Sequence, residues 1–488
     1  MVNGKILDIY QSKAVFCDKK RYLVVAGAGS GKSLTIVGKV DYLINVLNIN
    51  PKKILCISFT NEAVNSLKNS LESNNILVDV KTFHKLALDM IFNDNLSIVS
   101  DAFLSFVVDE YFCSYIYEDN CYNLLSLYLD NNNLSYDYFV LYFRNVVLSF
   151  IKRFKALGYS SLYFYNLLYD KKIEFDDKVL LIVIFKIYVL YEEELVSSGK
   201  IDFDDMLMLS IRKISNLAYF KYKYVIIDEY QDTSCVKFEF ISSLIKKFDV
   251  NVMAVGDDFQ SIYSFTGCDV KYFLNFKKYF LNSKILKLRY NYRNPKDIVD
   301  ISRRFILKNR KQIRKRITSL NFIKDSIVIV YSNNVARDVF NIIDQIDNIF
   351  ILGRNKNDVN VLANSEYFFY DNELFLSNGE TKNIRFLTIH AAKGLENDYV
   401  ILLNVVDDTL GFPNKIIDNN LYKYLISFSD NFLYSEERRL FYVALTRARK
   451  RIYIFTSKFN ESCFIKELIR DYKYKLKIID FEENEFYN

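Results

Sequence analysis

Residues 22–33, YLVVAGAGSGKS, constrain the fold more than any other stretch of the chain. A short apolar run enters a loop of small residues that ends on Lys32 and Ser33. Such a run reads as a buried strand, and the residues after the loop read as the start of a helix. This arrangement lets backbone N–H groups of Gly27, Ala28, Gly29, Ser30 and Gly31 curl around one point, and the helix N-terminus adds a favourable dipole. The point suits phosphate oxygens. Lys32 would reach the β- and γ-phosphates of a nucleotide, and the Ser33 hydroxyl would ligate Mg²⁺. Ala26 stands where the pattern usually begins with Gly and is small enough to serve. Glycine is scarce, 13 in 488 residues, so three at positions 27, 29 and 31 mark places that need it.

A second element supports the first. In YVIIDEYQDT, 224–233, an apolar strand delivers two carboxylates at its C-terminal edge, where phosphates bind in such folds. Asp228 suits the Mg²⁺ shell, and Glu229 suits positioning and deprotonating an attacking water. Similar runs recur: ILCISF at 54–59, VMAVG at 252–256, ILKL at 285–288, IVIV at 327–330, FLTI at 386–389, YVILL at 399–403 and RIYIF at 451–455. Alternating with helical patterns, they predict an α/β protein with parallel sheets. The runs divide at about residue 283, which predicts two sheets and two lobes. Residues 89–195 have helical texture and predict a mostly helical insertion in the first lobe. The expected units are 1–88 and 196–283 for the first lobe, 89–195 for the insertion and 284–488 for the second lobe.

The 51% hydrophobic content excludes a largely disordered chain. Seven cysteines without a CxxC exclude a disulfide framework or zinc site as the basis of the fold, and a reducing compartment fits them. The N-terminus has no apolar signal core, and VLLIVIF at 179–185 is too short to span a bilayer, so a cytoplasmic protein without a membrane partner is expected. Net charge is 65 − 59 = +6, which permits a polyanion partner without requiring one. SRRFILKNRKQIRKR at 302–316 carries eight Lys/Arg and no acid, and reads as either a solvated helix face or a phosphate-facing one.

The chain resembles the UvrD/Rep family of superfamily 1 helicases over nearly its whole length, with the family's motifs in order. YQSKAV, ILCISFTNEAVNSL, TFHKLA, IDFDDML, AVGDDFQSIYSFTGCD, LRYNYRNPKDIV, LTIHAAKGLENDYVIL and EERRLFYVALTRARKRIYIF carry the likeness. It implies two RecA-like lobes of a P-loop NTPase, with ATP between them. By the same resemblance Gln11 reads adenine, Tyr292 stacks on it and Glu396 holds the ribose. Gln260 touches the γ-phosphate, and Arg293 and Arg447 act as arginine fingers. Single-stranded DNA would cross Tyr263 and Phe265, with Phe59 read as either a stacking face or core. Thr82, His84 and His390 are polar contacts to the strand, couplers between sites or structural groups. Lys152, Arg153 and Lys155 are read as phosphate contacts or surface helix.

Two positions depart from the family pattern. Leu34 stands where many relatives have Arg over the base, and Thr266 where relatives commonly have Arg. From Arg293 to His390 is 390 − 293 = 97 residues, which leaves no room for the second insertion of large relatives, the 2B subdomain. The resemblance implies an ATP- and Mg²⁺-dependent 3′–5′ helicase or translocase on single-stranded DNA and DNA junctions. Two other functions stay open: a strand-stimulated ATPase that remodels protein–DNA complexes with a protein partner, and a nucleotide-gated DNA-binding module.

Overall fold

The computed structural model describes the chain apart from residues 1–5, 92–95, 119–120, 347, 363–366, 371–372, 377–380, 416–419, 426–431 and 483–488. The first sheet contains β1 (Arg21–Val25), β2 (Ile54–Ser58) and β3 (Asp79–Thr82). After a short pair, β4 (Ser97–Ile98) with β5 (Lys200–Ile201), it resumes with β6 (Tyr224–Ile227), β7 (Asn251–Gly256) and β8 (Lys284–Lys287). The order is β3-β2-β6-β7-β1-β8, all parallel. Helices cover both faces, which explains why β2 is buried at every position instead of alternating.

The chain then passes through a small parallel ladder, β9 (Tyr290–Asn291) with β10 (Thr318–Ser319). The second sheet follows, with β11 (Ile327–Tyr331), β12 (Ile349–Gly353), β13 (Tyr367–Tyr370), β14 (Glu373–Leu376), β15 (Thr381–Thr388), β16 (Asn397–Leu402), β17 (Ala448–Thr456) and β18 (Lys477–Asp480). Six strands are parallel in the order β15-β12-β16-β17-β11-β18, and the antiparallel hairpin β13–β14 extends the edge at β15. These are two RecA-like lobes, and every apolar run read as a strand in the sequence is one. The expected division at residue 283 needs correction. ILKL forms β8 and pairs with β1, Tyr22 opposite Lys284, so the first sheet is completed before the chain crosses over.

The insertion is helical, as expected. Its helix Tyr136–Ala156 buries Phe139, Phe143, Val147, Phe150 and Phe154, one stripe at helical spacing, and Ser135 caps its start. VLLIVIF lies within the helix Phe175–Ser197 and fills the core of this domain. Among the described residues no helix is long and apolar enough to cross a membrane. Leu421, Tyr422 and Leu425 of the second lobe also enter the insertion's core. The Tyr422 ring lies 4.0 Å from the Arg153 guanidinium, and Tyr424 donates to Asp177 at 2.8 Å. A strap from the second lobe is therefore packed into the first lobe's insertion.

Candidate nucleotide and nucleic-acid site

The loop after β1 lies at the C-terminal edge of the first sheet, and Gly31 precedes the helix Lys32–Asp41. Gly29 and Gly31 have φ of 65° and 77°, the left-handed region that favours glycine. A Cβ on Gly29 would lie 2.5 Å from the Arg293 Cβ, and one on Gly31 would lie 2.5 Å from Gln11 Nε2. Both glycines thus permit a turn and a close approach. Ser33 is exposed at the first helical turn. Ala26 differs from expectation: its N–H donates to Gly256 O and its carbonyl accepts from Lys315 Nζ, so it belongs to the sheet exit. The Ala28 N–H is taken by the Tyr442 hydroxyl at 3.3 Å, and the Ser30 N–H by Gly27 O.

Asp228 and Glu229 follow β6. Glu229 has φ 50° and ψ 37°, a left-handed conformation that costs a side-chain-bearing residue of order 1–3 kcal/mol. Lys32 Nζ holds it at 2.6 Å and Gln231 Nε2 at 2.6 Å, which keeps it in place. Burial works against its charge, but Lys32 and Lys393 outweigh that and hold the carboxyl well below the usual range, so Glu229 is ionised. Burial and neighbouring Glu229 push Asp228 up to about 6. This pair is short of positive charge, so the donor set of Ser33 and Asp228 fits a divalent cation.

The second lobe brings its arginines to the same place. Arg447 is buried, donating from NH2 to Gln260 Oε1 at 3.3 Å and from NH1 to Leu395 O at 2.9 Å. Burial, with Arg293 nearby, lowers it to about 9. Arg449, by contrast, is exposed and pairs with Asp398 at 3.0 Å. Arg293 is ion-paired with Glu396, so the expected ribose ligand is engaged by an expected finger. The Tyr292 ring is 58% exposed, with its hydroxyl on Asp8 at 2.6 Å, which leaves a stacking face. Gln11 is buried: Oε1 accepts from Asp8 N and Nε2 donates to Ser30 O. It joins a helix start to the loop, a structural use that the resemblance did not foresee.

The strand candidates lie beyond β2, β3, β7 and β15. Phe265 is 45% exposed and meets His390 edge-on at 5.6 Å. Tyr263 donates to His390 O at 3.2 Å and has Lys393 Nζ 4.6 Å from its ring centroid. Phe59 packs on Phe83 and lies under Lys237 Nζ at 4.9 Å. His84 packs on Phe203, and Thr82 accepts from Lys85 N as a helix cap. Burial lowers both His84 and His390 to about 4, so both rings are neutral at pH 7.

The three cations of the insertion do not form a phosphate track. Lys155 is buried among Glu192, Asp202 and Asp205 at 2.6–2.9 Å, because the DFDD element supplies its counter-charges. Arg153 donates to Phe265 O at 3.0 Å beneath Tyr422, and Lys152 pairs with Asp101. Within the basic run, Lys308 pairs with Glu467 and Asp471, while Lys315 is wholly buried. Sequence reasoning also missed Lys393, which joins Asp232 Oδ2 at 2.6 Å and Gln260 O at 2.8 Å. Its place inside HAAKGLE was the available signal.

A phosphate loop, a partly buried Asp–Glu pair and arginines from a facing lobe define a two-lobed P-loop NTPase architecture. Residues 7–281 match the family model "UvrD/REP helicase N-terminal domain", and residues 370–459 match "UvrD-like helicase C-terminal domain". The chain belongs to the UvrD/REP helicase family. It is 30% identical over 435 residues to a probable DNA helicase II homolog of Mycoplasma capricolum, covering 85% of this chain and 56% of that protein. It is 30% identical over 348 residues to ATP-dependent DNA helicase Rep of Buchnera aphidicola subsp. Baizongia pistaciae, covering 69% and 48%. DNA helicase IV of Escherichia coli is 25% identical over 520 residues, covering 96% and 70%. The chain thus spans about half the length of the first two relatives.

Proposed function

We propose that this chain is an ATP- and Mg²⁺-dependent DNA motor that moves 3′→5′ along single-stranded DNA and acts at DNA junctions. The observation that carries the reading is the contact of Arg447 with Gln260 across the lobes, beside the Lys32–Glu229 pair. Lys32 would leave Glu229 for the phosphates as ATP binds. A divalent cation held by Ser33 and Asp228 would neutralise charge on the phosphates. Water oxygen attacks the γ-phosphorus, the bond to the β–γ bridging oxygen breaks with its electron pair going to ADP, and Glu229 takes the water's proton. Arg293 and Arg447 stabilise the charge on the transferring group.

Strand binding on Phe265 and Tyr263 reaches this chemistry through Lys393, which touches the Tyr263 ring, Gln260 and Asp232. ATPase activity is therefore expected to be low alone and stimulated by single-stranded DNA. The test is ATPase with and without strand, alongside single-turnover unwinding of 3′- and 5′-tailed duplexes. Equal ATPase in both conditions removes the strand-driven reading, and a preference for 5′ tails removes the polarity.

Strands β10 to β15 of the second lobe occupy much of the interval between Arg293 and His390, where large relatives carry a second insertion, and this favours a second reading, of a motor that displaces bound protein but unwinds long duplex only with a partner. Efficient unwinding by a lone monomer removes it.

A further inference from the structure

Lys315 comes from the basic run yet is wholly buried, with side-chain exposure of 0% matched by 0% for Asp257 and Asp258. The segment leaves the helix Lys296–Ile306 on the second lobe and passes under the phosphate loop, where Ile317 lies 2.4 Å from the position of a Cβ on Gly27. There Lys315 Nζ is ion-paired with Asp257 and reaches Asp258 at 2.6 Å, donates to Ala26 O at 3.3 Å, and lies 3.6 Å from the Phe259 ring centroid. The ammonium hydrogen-bonds Asp257 Oδ1 and Ala26 O and meets Asp258 Oδ1 as an ion pair.

Two adjacent buried carboxylates repel and are poorly solvated, so the lysine between them sets where each one sits. Asp257 Oδ2 in turn accepts from Gln260 Nε2 at 2.6 Å, while Gln260 Oε1 accepts from Arg447. The Asp257 N–H donates to Gln231 Oε1 at 2.9 Å, and Gln231 Nε2 donates to Glu229. Asp257 is thus the joint of two lines, one to the glutamine facing the γ-phosphate and one to the base. Lys315 is the cation that holds the joint.

We propose that Lys315 is a positioning residue that acts through Asp257 to aim the Gln260 amide at the γ-phosphate. The proposal rests on the reading of the cleft as a site of ATP hydrolysis. Misplacing a reacting-site group through a change remote from the chemistry can cost about 10²-fold in rate.

The full chain is tested with Lys315→Met, Lys315→Arg, Asp257→Asn and Gln260→Ala. Two readouts are taken: the ratio of mant-ADP to mant-ATPγS dissociation constants, and kcat and KM for ATP with single-stranded DNA. Lys315→Met is expected to lower the ratio toward that of Gln260→Ala and to cut kcat by up to about 10²-fold, with KM for ATP rising as the ratio falls. Lys315→Arg restores part of both, and Asp257→Asn adds little to Lys315→Met. Because Lys315→Met leaves two buried carboxylates unpaired, Lys315→Met/Asp258→Asn is the stability control. Its thermal midpoint should recover in part, since one of the two unpaired carboxylates is removed, while ratio and kcat stay low. Wild-type ratio and kcat in that control, or losses that multiply with those of Asp257→Asn, overturn the proposal. A wild-type ratio near one overturns it together with the γ-phosphate role of Gln260. A wild type that discriminates the nucleotides but does not hydrolyse ATP overturns only the hydrolytic reading, and the ratio still decides Lys315.

Discussion

The inter-lobe cleft and the helical insertion both bury charge, but to opposite ends. In the cleft, Glu229, Asp228, Gln260, Arg293 and Arg447 gather beside a loop of small residues, and the proposed function has their contacts exchanged for a phosphate. In the insertion, Lys155 is buried among Glu192, Asp202 and Asp205, with its ammonium 5.1 Å from the Tyr191 ring centroid. On the proposed reading, the partly buried Lys32–Glu229 pair is a resting state of the chemistry, whereas the Lys155 cluster ties the insertion's helices to the lobe. Substitutions should separate the two: cleft variants should lose turnover and keep stability, and insertion variants the reverse.

The largest effect is expected at Glu229. Glu229→Gln should retain nucleotide binding and thermal stability but lose about 10²–10⁴-fold in turnover, measured by steady-state ATPase. Unchanged ATPase would break the cleft side of the comparison.

Lys155→Met should destabilise the chain by about 3–5 kcal/mol, because three carboxylates lose their shared cation. Denaturant unfolding measures this, and kcat per folded molecule should stay near wild type. A fall in kcat without a fall in stability would place Lys155 in the chemistry.

Leu421 is fully buried in the insertion's core although it belongs to the second lobe. Leu421→Ala should cost about 2–5 kcal/mol if the strap packs as an ordinary core. Proteolysis with and without nucleotide then sharpens the comparison, since a strap that opens as the cleft closes would be cut at different rates in the two states.

Phe265→Ala should weaken single-strand affinity by about 1–3 kcal/mol, the scale of one stacked base, and lower basal ATPase far less. Fluorescence anisotropy with a labelled oligonucleotide measures it.

The last effect is one of pH. Burial holds His84 and His390 down at about 4. The unfolded chain titrates them near 6.5, so it binds protons that the folded chain refuses between about 6.5 and 4. Their stabilising contribution is complete above pH 6.5 and is lost as pH falls toward 4. The thermal midpoint of wild type should fall more steeply over that window than that of His84→Gln/His390→Gln.

Much of the cleft was legible in the sequence because its chemistry needs particular side chains close to backbone turns. YLVVAGAGSGKS and YVIIDEYQDT place Lys32, Ser33, Asp228 and Glu229 by local geometry alone. Arg447 could be chosen over Arg449 only through the family's TRA element; the fold buries the first beside Gln260 and leaves the second exposed. The insertion was legible as helices but not as contacts. IKRFKALGY gives no sign that Asp202 and Asp205, some fifty residues on, come back to neutralise Lys155, since ion pairing over that separation depends on how helices pack.

The sequence by itself determined the two parallel sheets, the phosphate loop and the order of the motifs, because strands, tight turns and helix starts follow from neighbouring residues. Only the tertiary structure decided that ILKL completes the first sheet, that Leu421 and Tyr422 plug the insertion, and that one lysine of a basic run lies buried between Asp257 and Asp258. These outcomes depend on which side chains can share one desolvated space. That is a property of the folded chain, and no local stretch of residues carries it.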